Sequence, residues 1–457
     1  MANYKADELV EFANAAVNSA LKNGADEAEA FISTSDNTSI DIERGQIVRS
    51  AKNFDQGIGI RGIYKKAIGF SYTNNLTLKN IKDASIRAIK AAKASKPDKN
   101  WFKLPNKENY NIPKNTYDKS IQSLSSDMLV NSAEEMLEAT CEYNKRVLAV
   151  AGGITKSFFK TAIANSYGVE ESDLGTAIGC WMETIARDGS DVTPACYELN
   201  AERVYNINPI EVGLEAARLS VSALNPIKME SGSYSVIFTQ AAFSSLLYHT
   251  VINAVKADYV QRDRSAFKEK IGDQVASDIV TIYDDGLLDG GLLSGKFDGE
   301  GVPCKKTLVI EKGFLKNFLY DNYWANKVGV KSTGNSSRSG GISYASTPVL
   351  EASNFVIKEG NKTAEELISE IDRGLLIYGV QGAHSSNPES SEFSVVATPV
   401  WKIEGGQLAN PTRDLMISGV FFDILNNISM LGNNIRKFGQ LVAPWVLVDN
   451  VRVVGKT

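Results

Sequence analysis

The chain holds two histidines, His249 and His384, and four cysteines, Cys141, Cys180, Cys196 and Cys304. Histidine is the commonest metal ligand and general base. Two of them cannot make a three-histidine centre. The cysteines form no C-x-x-C pair, so they resemble neither a cysteine zinc site nor a disulfide framework, and they read as packing thiols. No H-E-x-x-H and no G-x-S-x-G occurs. A hydrolase here has to be built from other groups. Residues 290–297, GGLLSGKF, nearly match a phosphate-binding loop, but Phe297 stands where Ser or Thr must hold magnesium. That segment reads as a glycine-rich hairpin. His384 lies in a run of small and polar residues, 382–388, which marks a loop. Its neighbour Ser385 raises acyl transfer, yet adjacent residues rarely set a base against its nucleophile, and no orienting acid is visible. His384 is left as a structural loop residue or a contact to substrate or partner. Asn335 and Arg338 sit in a second polar loop, 332–341, read as flexible or as a place where backbone approaches a peptide.

The elements that must position these residues follow from periodicity. Leu9, Phe12, Ala13, Ala16, Val17, Ala20 and Leu21 recur at helical spacing, and Asn23-Gly24 ends that helix. Short strands follow at 28–33, 38–43, 46–50, 56–63 and 67–72, with a hairpin turn at Gly45. Leu78 to Ala92 return to helical spacing. Residues 93–120, rich in Lys, Asn and Pro, are the linker candidate. A second unit repeats the element types: a helix near 124–143, strands near 146–152, 155–167 and 175–187, and a helix opened by Asn208-Pro209. From about residue 226 the chain reads as a strand (233–239), a helix (240–257) and many short strands with a turn every eight to twelve residues. The expected fold is α+β. It divides into an N-terminal α+β domain at 1–100, a central α+β domain at 101–225, and a β-rich domain at 226–457 built on a large antiparallel sheet or open barrel.

Composition limits the partners. Of 457 residues, 43% are hydrophobic and 23% charged, an ordinary globular balance. No apolar run approaches the roughly 18–20 residues of a spanning helix, which argues against a membrane protein. The first residues carry acids where a signal peptide would be basic and then apolar, so the expected compartment is the cytoplasm. The net charge of −5 argues against nucleic acid as the main partner.

The stretch 246–258, LLYHTVINAVKAD, is followed by SAFKEKIGDQVASDIVTIYDDG. This phrase resembles the TldD/PmbA family, once called modulators of DNA gyrase and regarded as metalloproteases. The family's metal-binding member carries H-E-x-x-x-H on a helix, a few residues before a similar S-x-F segment ending in DDG. With Asp258 and Ser265 placed on that pattern, the first histidine falls on Tyr248, the glutamate on His249 and the second histidine on Asn253. The metal-binding member also supplies a cysteine after a segment like ISMLGNNIR (428–436), and here no cysteine follows Cys304. GADEAEAFIS, GIGIRGIYKKAIGFSYTN, STGNSSR, GAHSSNPESSEFSVV and NNISMLGNN resemble the metal-free PmbA or TldE branch. The resemblance covers nearly the whole chain.

Donor chemistry points the same way. Zinc hydrolysis takes about three protein ligands and an open position for water. Tyr248, His249 and Asn253 offer one good ligand, since neutral Asn binds zinc poorly and tyrosine must lose a proton with a pKa near 10. Asp284 and Asp285 are distant carboxylates that His249 could recruit, although DDG after a strand reads as a turn. The i to i+5 spacing also sets two histidines about 140° apart on a regular helix, so the family helix must bend or end at the motif, whereas 240–257 is expected as a plain helix.

The resemblance implies a companion subunit without its own metal. Its expected partner is a metal-binding TldD-type sibling that carries the zinc, and the expected substrate is unfolded or short peptide. A homodimer can form from the chain alone. His384, Ser385, Asn387, Asn335 and Arg338 are the expected peptide contacts. The alternatives are a homodimeric peptide-binding protein without hydrolysis, a self-sufficient metallopeptidase with an unorthodox site, and, against the acidic charge, a protein acting on DNA topology.

Overall fold

A computed structural model describes residues 4–338 and 343–455; Ser339, Gly340 and Gly341 of the second polar loop lie outside the described residues. Helix α1 (Ala6–Lys22) buries Leu9, Ala13, Ala16, Val17 and Ala20, and the Glu8 carboxylate accepts from the Lys5 N–H at 2.6 Å to close its first turn. Strands β1 (Glu27–Glu43) and β2 (Gln46–Tyr64) are joined by Arg44-Gly45, both at positive φ, as a tight hairpin requires. Then come β3 (Ala67–Thr73) and α2 (Leu78–Ala94), which Thr77 caps. A Cβ on Gly69 would lie 2.1 Å from the Ala88 carbonyl oxygen, so only glycine lets α2 settle on β3.

The four pieces expected between 28 and 63 are two long strands. The polar stretch Ser33 to Thr38 looks like a turn because it interrupts the apolar alternation. It is instead the middle of one strand with a core at each end. Ile32 packs into the core under α1 and α2, and Ile40 and Ile42 pack into a second core. The second core belongs to the central unit: α3 (Ser126–Tyr143), β4 (Val147–Asn165), β5 (Glu170–Asp188), β6 (Cys196–Glu202) and α4 (Pro209–Ser222), with Asn208 capping α4 and Pro209 in its first turn. Strand β1 pairs antiparallel with β4 from Glu29↔Asn165 to Glu43↔Ala151. One sheet, ordered β3-β2-β1-β4-β5 and continued by β6 and the short strand Asp191–Val192, therefore runs through both N-terminal units.

The segment expected to be a linker is a strap. Trp101 and Leu104 are buried, and Glu27 accepts from the Trp101 indole (2.9 Å) and the Leu104 N–H (2.8 Å). These donors satisfy a carboxylate that is itself 8% exposed.

The C-terminal part folds into two curled half-barrel sheets around one large core. The nine-stranded sheet centres on Gly232–Phe238 and Val446–Val454, and the six-stranded sheet on Ile282–Asp285 and Lys306–Glu311. Each is mostly antiparallel with one parallel pair: Arg373–Ile377 beside Gly232–Phe238, and Phe355–Ile357 beside Leu441–Ala443. The fold is α+β. No helix among the described residues is long and apolar enough to cross a membrane.

Candidate functional site

Helix α5 (Gln240–Leu247) leaves the strand Gly232–Phe238 and runs into the C-terminal core. Phe243, Leu246 and Leu247 are fully buried, and Phe243 stacks between Phe238 (6.0 Å between ring centres) and Phe421 (5.9 Å). The helix then widens into a π turn at Tyr248–Ile252. The buried Thr250 hydroxyl donates to the Leu246 carbonyl at 2.7 Å, taking up the acceptor that a regular turn would use. A π turn bonds i to i+5 and commonly marks functional sites. Its extra residue brings Tyr248 and Asn253 towards the same face, where a regular helix would separate them. The bend that i to i+5 spacing needs is therefore present, which differs from the plain helix expected over 240–257. Periodicity could not show it, because one inserted residue leaves the apolar pattern of 243–255 nearly intact.

The end of this helix is tied down by Ser265. Its hydroxyl donates to the Ala254 carbonyl and accepts from the Phe267 N–H at 3.0 Å. That double bond pattern explains why serine stands at the head of the S-x-F segment. The next N–H, of Ala266, donates to the Pro388 carbonyl at 3.1 Å and so fastens the loop 382–388 to the same segment.

The loop carries His384 to the π turn. The short turn Ala383–Ser385 packs against Tyr248–Ile252. His249 is half-buried and His384 exposed. The pKa of His249 is lowered from 6.5, first by burial and then by His384. Tyr248 is 38% exposed and meets the His249 ring edge-on, 4.9 Å between centres. Ser385 and Asn387 are exposed beside His384. The Ser385 hydroxyl donates to the Gly382 carbonyl (2.8 Å), and the Asn387 side-chain oxygen accepts from the Glu389 N–H (2.9 Å). The edge strand Val380–Gln381 of the nine-stranded sheet leads directly into this loop.

Asn335 and Arg338, expected beside them as peptide contacts, are elsewhere. Asn335 is 2% exposed, and its amide donates to Asp284 at 2.6 Å. Arg338 is 1% exposed; it pairs with Glu29 and donates to the carbonyls of Gly299 (3.0 Å) and Ser346 (2.9 Å). Both side chains are consumed inside the molecule and closed to a peptide. The described part of their loop, 332–338, is bonded in place rather than loose. Arg338 belongs to a buried group of four that nothing in the sequence signals: Arg61 bridges Glu29 (2.7 Å) and Glu300 (2.9 Å) across the boundary between the N-terminal sheet and the C-terminal domain.

The carboxylates that His249 could recruit are also committed. Asp284 accepts from Asn335 and from the Ser353 N–H (2.8 Å) and hydroxyl (2.6 Å), and burial pushes its pKa up to about 6. Asp285 closes the turn after the strand by accepting from the Leu287 N–H at 3.0 Å. In the false phosphate loop, Lys296 pairs with Glu171 at 2.6 Å. The segment 428–436 packs at the start of α5, where the Asn434 carbonyl accepts from the Gln240 side chain at 2.6 Å. Among the described residues, no three of His, Cys, Asp and Glu converge as metal ligands would. The donors at 248, 249 and 253 are a phenol, one imidazole and a neutral amide. They do not fit the three-ligand zinc centre of a hydrolase.

This order, an α+β sheet shared by two N-terminal units and then a double half-barrel, is covered by a set of metallopeptidase domain models. Three models match in order: the PmbA/TldA metallopeptidase domain 1 over 28–92, the central domain over 119–224 and the C-terminal domain over 231–455. The chain belongs to the PmbA/TldD family. An uncharacterized protein of Methanocaldococcus jannaschii is 32% identical over 422 residues, 92% of this chain and 95% of its own length. Metalloprotease PmbA of Escherichia coli O157:H7 is 25% identical over 435 residues, 94% and 93% of the two chains. The crystal structure of TldE from Thermococcus kodakarensis superposes with a TM-score of 0.90 at 28% identity, covering 96% of this chain and 99% of that one.

Proposed function

We propose that this chain is the metal-free companion of a metal-binding TldD-type sibling, and that the pair hydrolyses unfolded or short peptides. One observation carries the reading: the helix bends into a π turn where H-E-x-x-x-H would lie, while the residues there, Tyr248, His249 and Asn253, offer one good zinc ligand between them. A scaffold held without its ligands fits a wall of a shared site better than a centre of its own. The zinc and its water come from the sibling, and no step of the chemistry runs through this chain's helix.

The companion's task is to hold substrate. An extended peptide adds as a strand to a sheet edge, with main-chain hydrogen bonds giving affinity with little sequence choice. The edge strand Val380–Gln381 and the exposed His384, Ser385 and Asn387 support placing that contact beside the π turn. A folded protein offers no free strand there, which suits an enzyme for unfolded chains. The test is reconstitution: this chain, the sibling and their mixture are assayed on a short unstructured peptide, and only the mixture cleaves it efficiently.

The approach of His384 to His249 favours a second reading, a self-sufficient metallopeptidase with an unorthodox two-histidine site. Elemental analysis of untagged chain separates the two. The companion reading requires well below one equivalent of zinc after dialysis, and the second requires close to one.

A further inference from the structure

The buried charges between the N-terminal sheet and the C-terminal domain do not balance. Glu29 and Glu300 are each 1% exposed and Asp321 is 5% exposed. Two guanidinium groups meet these three carboxylates. Arg61 is shared between Glu29 (2.7 Å) and Glu300 (2.9 Å), and Arg338 pairs with Glu29. Asp321 makes no ion pair among the described residues.

Asp321 and Glu300 sit at one turn. Asp321 accepts from the Trp324 N–H at 2.8 Å, at the start of the short helix Asn322–Val328, and Glu300 accepts from the Asn322 N–H at 3.1 Å. Each takes a backbone donor of the first turn, which favours both as anions. Burial and their mutual repulsion oppose that. The short helix Ala257–Gln261 adds a like charge, the half-buried Asp258, one of whose oxygens is buried without a hydrogen-bond partner. Cations on and beside the two helices are turned to other groups. Lys256 pairs with Glu351 at 3.2 Å, and Arg262 and Lys327 lie over the Trp324 ring, 4.9 and 4.5 Å from its centre. Burial first and Glu300 second push the Asp321 pKa up to about 7; Asp258 adds to the rise, and the Trp324 N–H and Arg61 oppose it.

The same turn is a fastening. The Asn322 side-chain amide donates to the Lys103 carbonyl at 2.7 Å, and the Tyr323 hydroxyl donates to Asp98 at 2.9 Å. Both partners lie in the strap. The residue that caps this helix therefore stands where the C-terminal domain grips the N-terminal half.

We propose that Asp321 is a proton-operated latch on this boundary: neutral, it lets the helix Asn322–Val328 hold the strap; ionised, it leaves an unpaired buried negative charge and loosens the hold. The sign follows from linkage. The folded pKa lies above the ordinary 3.8, so the closed boundary binds more protons than the open one between 3.8 and about 7. The latch is strongest below that window, weakens as pH rises through it, and changes no further above about 7. The latch lies apart from the π turn and stands whether or not the companion reading does.

Hydrogen exchange of the full chain tests it, read at the amides of Trp101 and Leu104 in the strap and Ala325 in the helix, all hydrogen-bonded in the closed state. The measurement runs from about pH 5.5 to about pH 8 and is corrected for the pH dependence of chemical exchange. The opening constant should rise about tenfold or more and level off near 7. Asp321→Asn keeps a good helix cap and removes the titration, so its corrected exchange should be flat over the same range. Glu300→Gln removes the larger neighbouring charge and should move the levelling to lower pH. His249 stabilises the chain as pH rises, the opposite sign, so its titration does not supply the effect. A flat profile in the unaltered chain, a rise that Asp321→Asn leaves in place, or a levelling that Glu300→Gln does not move would overturn the proposal. If a variant does not fold, the unaltered chain decides by itself.

Discussion

His384 is carried to His249 by a loop that the Ala266–Pro388 hydrogen bond fastens to the end of the π-turn segment. The two histidines of the chain thus meet at the π turn. His249 is disfavoured as a cation first by burial and then by His384.

A titration follows from this. The folded His249 releases its proton below the 6.5 of a free imidazole. At pH values between the folded and unfolded pKa the unfolded chain binds more protons at this residue, so stability rises with pH there. The contribution is complete above 6.5 and is lost as pH falls towards the folded value. With two imidazoles in the chain, proton NMR resolves both curves. His384→Ala should move the His249 curve upward, and a His249 curve at or above 6.5 in the unaltered protein would contradict the burial and proximity described.

The buried charge group predicts a stability effect. Arg61→Met leaves Glu300 without a paired cation and Glu29 with Arg338 alone, both carboxylates being nearly inaccessible. Breaking a buried pair costs about 3–5 kcal/mol. Adding Glu300→Gln should restore part of that loss, because the second change removes the charge left unpaired. Urea unfolding of the two variants measures both, and additive losses would show that the pair is not coupled.

The π turn predicts the outcome of restoring the motif. Tyr248→His, His249→Glu and Asn253→His together place two imidazoles on a turn already shaped for i to i+5 spacing. Zinc affinity should rise above that of the unaltered chain. Peptide cleavage should stay poor, since no cysteine follows Cys304 to complete the ligands and no partners are in place to orient them. Elemental analysis and a peptide assay on the same sample check both halves; robust cleavage would mean the surroundings are already complete.

Periodicity reached the helices, because Leu9 to Leu21 and Leu78 to Ala92 each bury one face against one neighbour. It failed on β1 and β2, whose polar middles bridge two cores that no local window sees together. It failed on the strap, since Trp101 and Leu104 are two apolar residues in a polar run and their partner Glu27 lies in another element. The candidate site was legible as residue types: 248, 249, 253 and the 382–388 loop. Its geometry was not, because a π turn inserts one residue without a compositional mark, and the His249–His384 approach depends on contacts far apart in the chain. Arg338 shows the converse. An arginine in a run of serines and glycines reads as solvent-facing, and only its long-range pairing with Glu29 buries it.

The loop assignment has its own test. In the mixed complex, the proposed substrate contact predicts that His384→Ala raises the KM for a short peptide and leaves the zinc content unchanged. Unchanged kinetics would remove the loop from the site and leave the companion role intact.

The central claim is that this chain supplies a wall and the sibling supplies the metal. The most direct measurement is the rate at which the metal-binding sibling cleaves an unstructured peptide as this chain is added. The account predicts negligible cleavage by either chain alone and a rate that climbs to a plateau at one-to-one mixing. Full activity of the sibling without this chain, or cleavage by this chain alone, would contradict it.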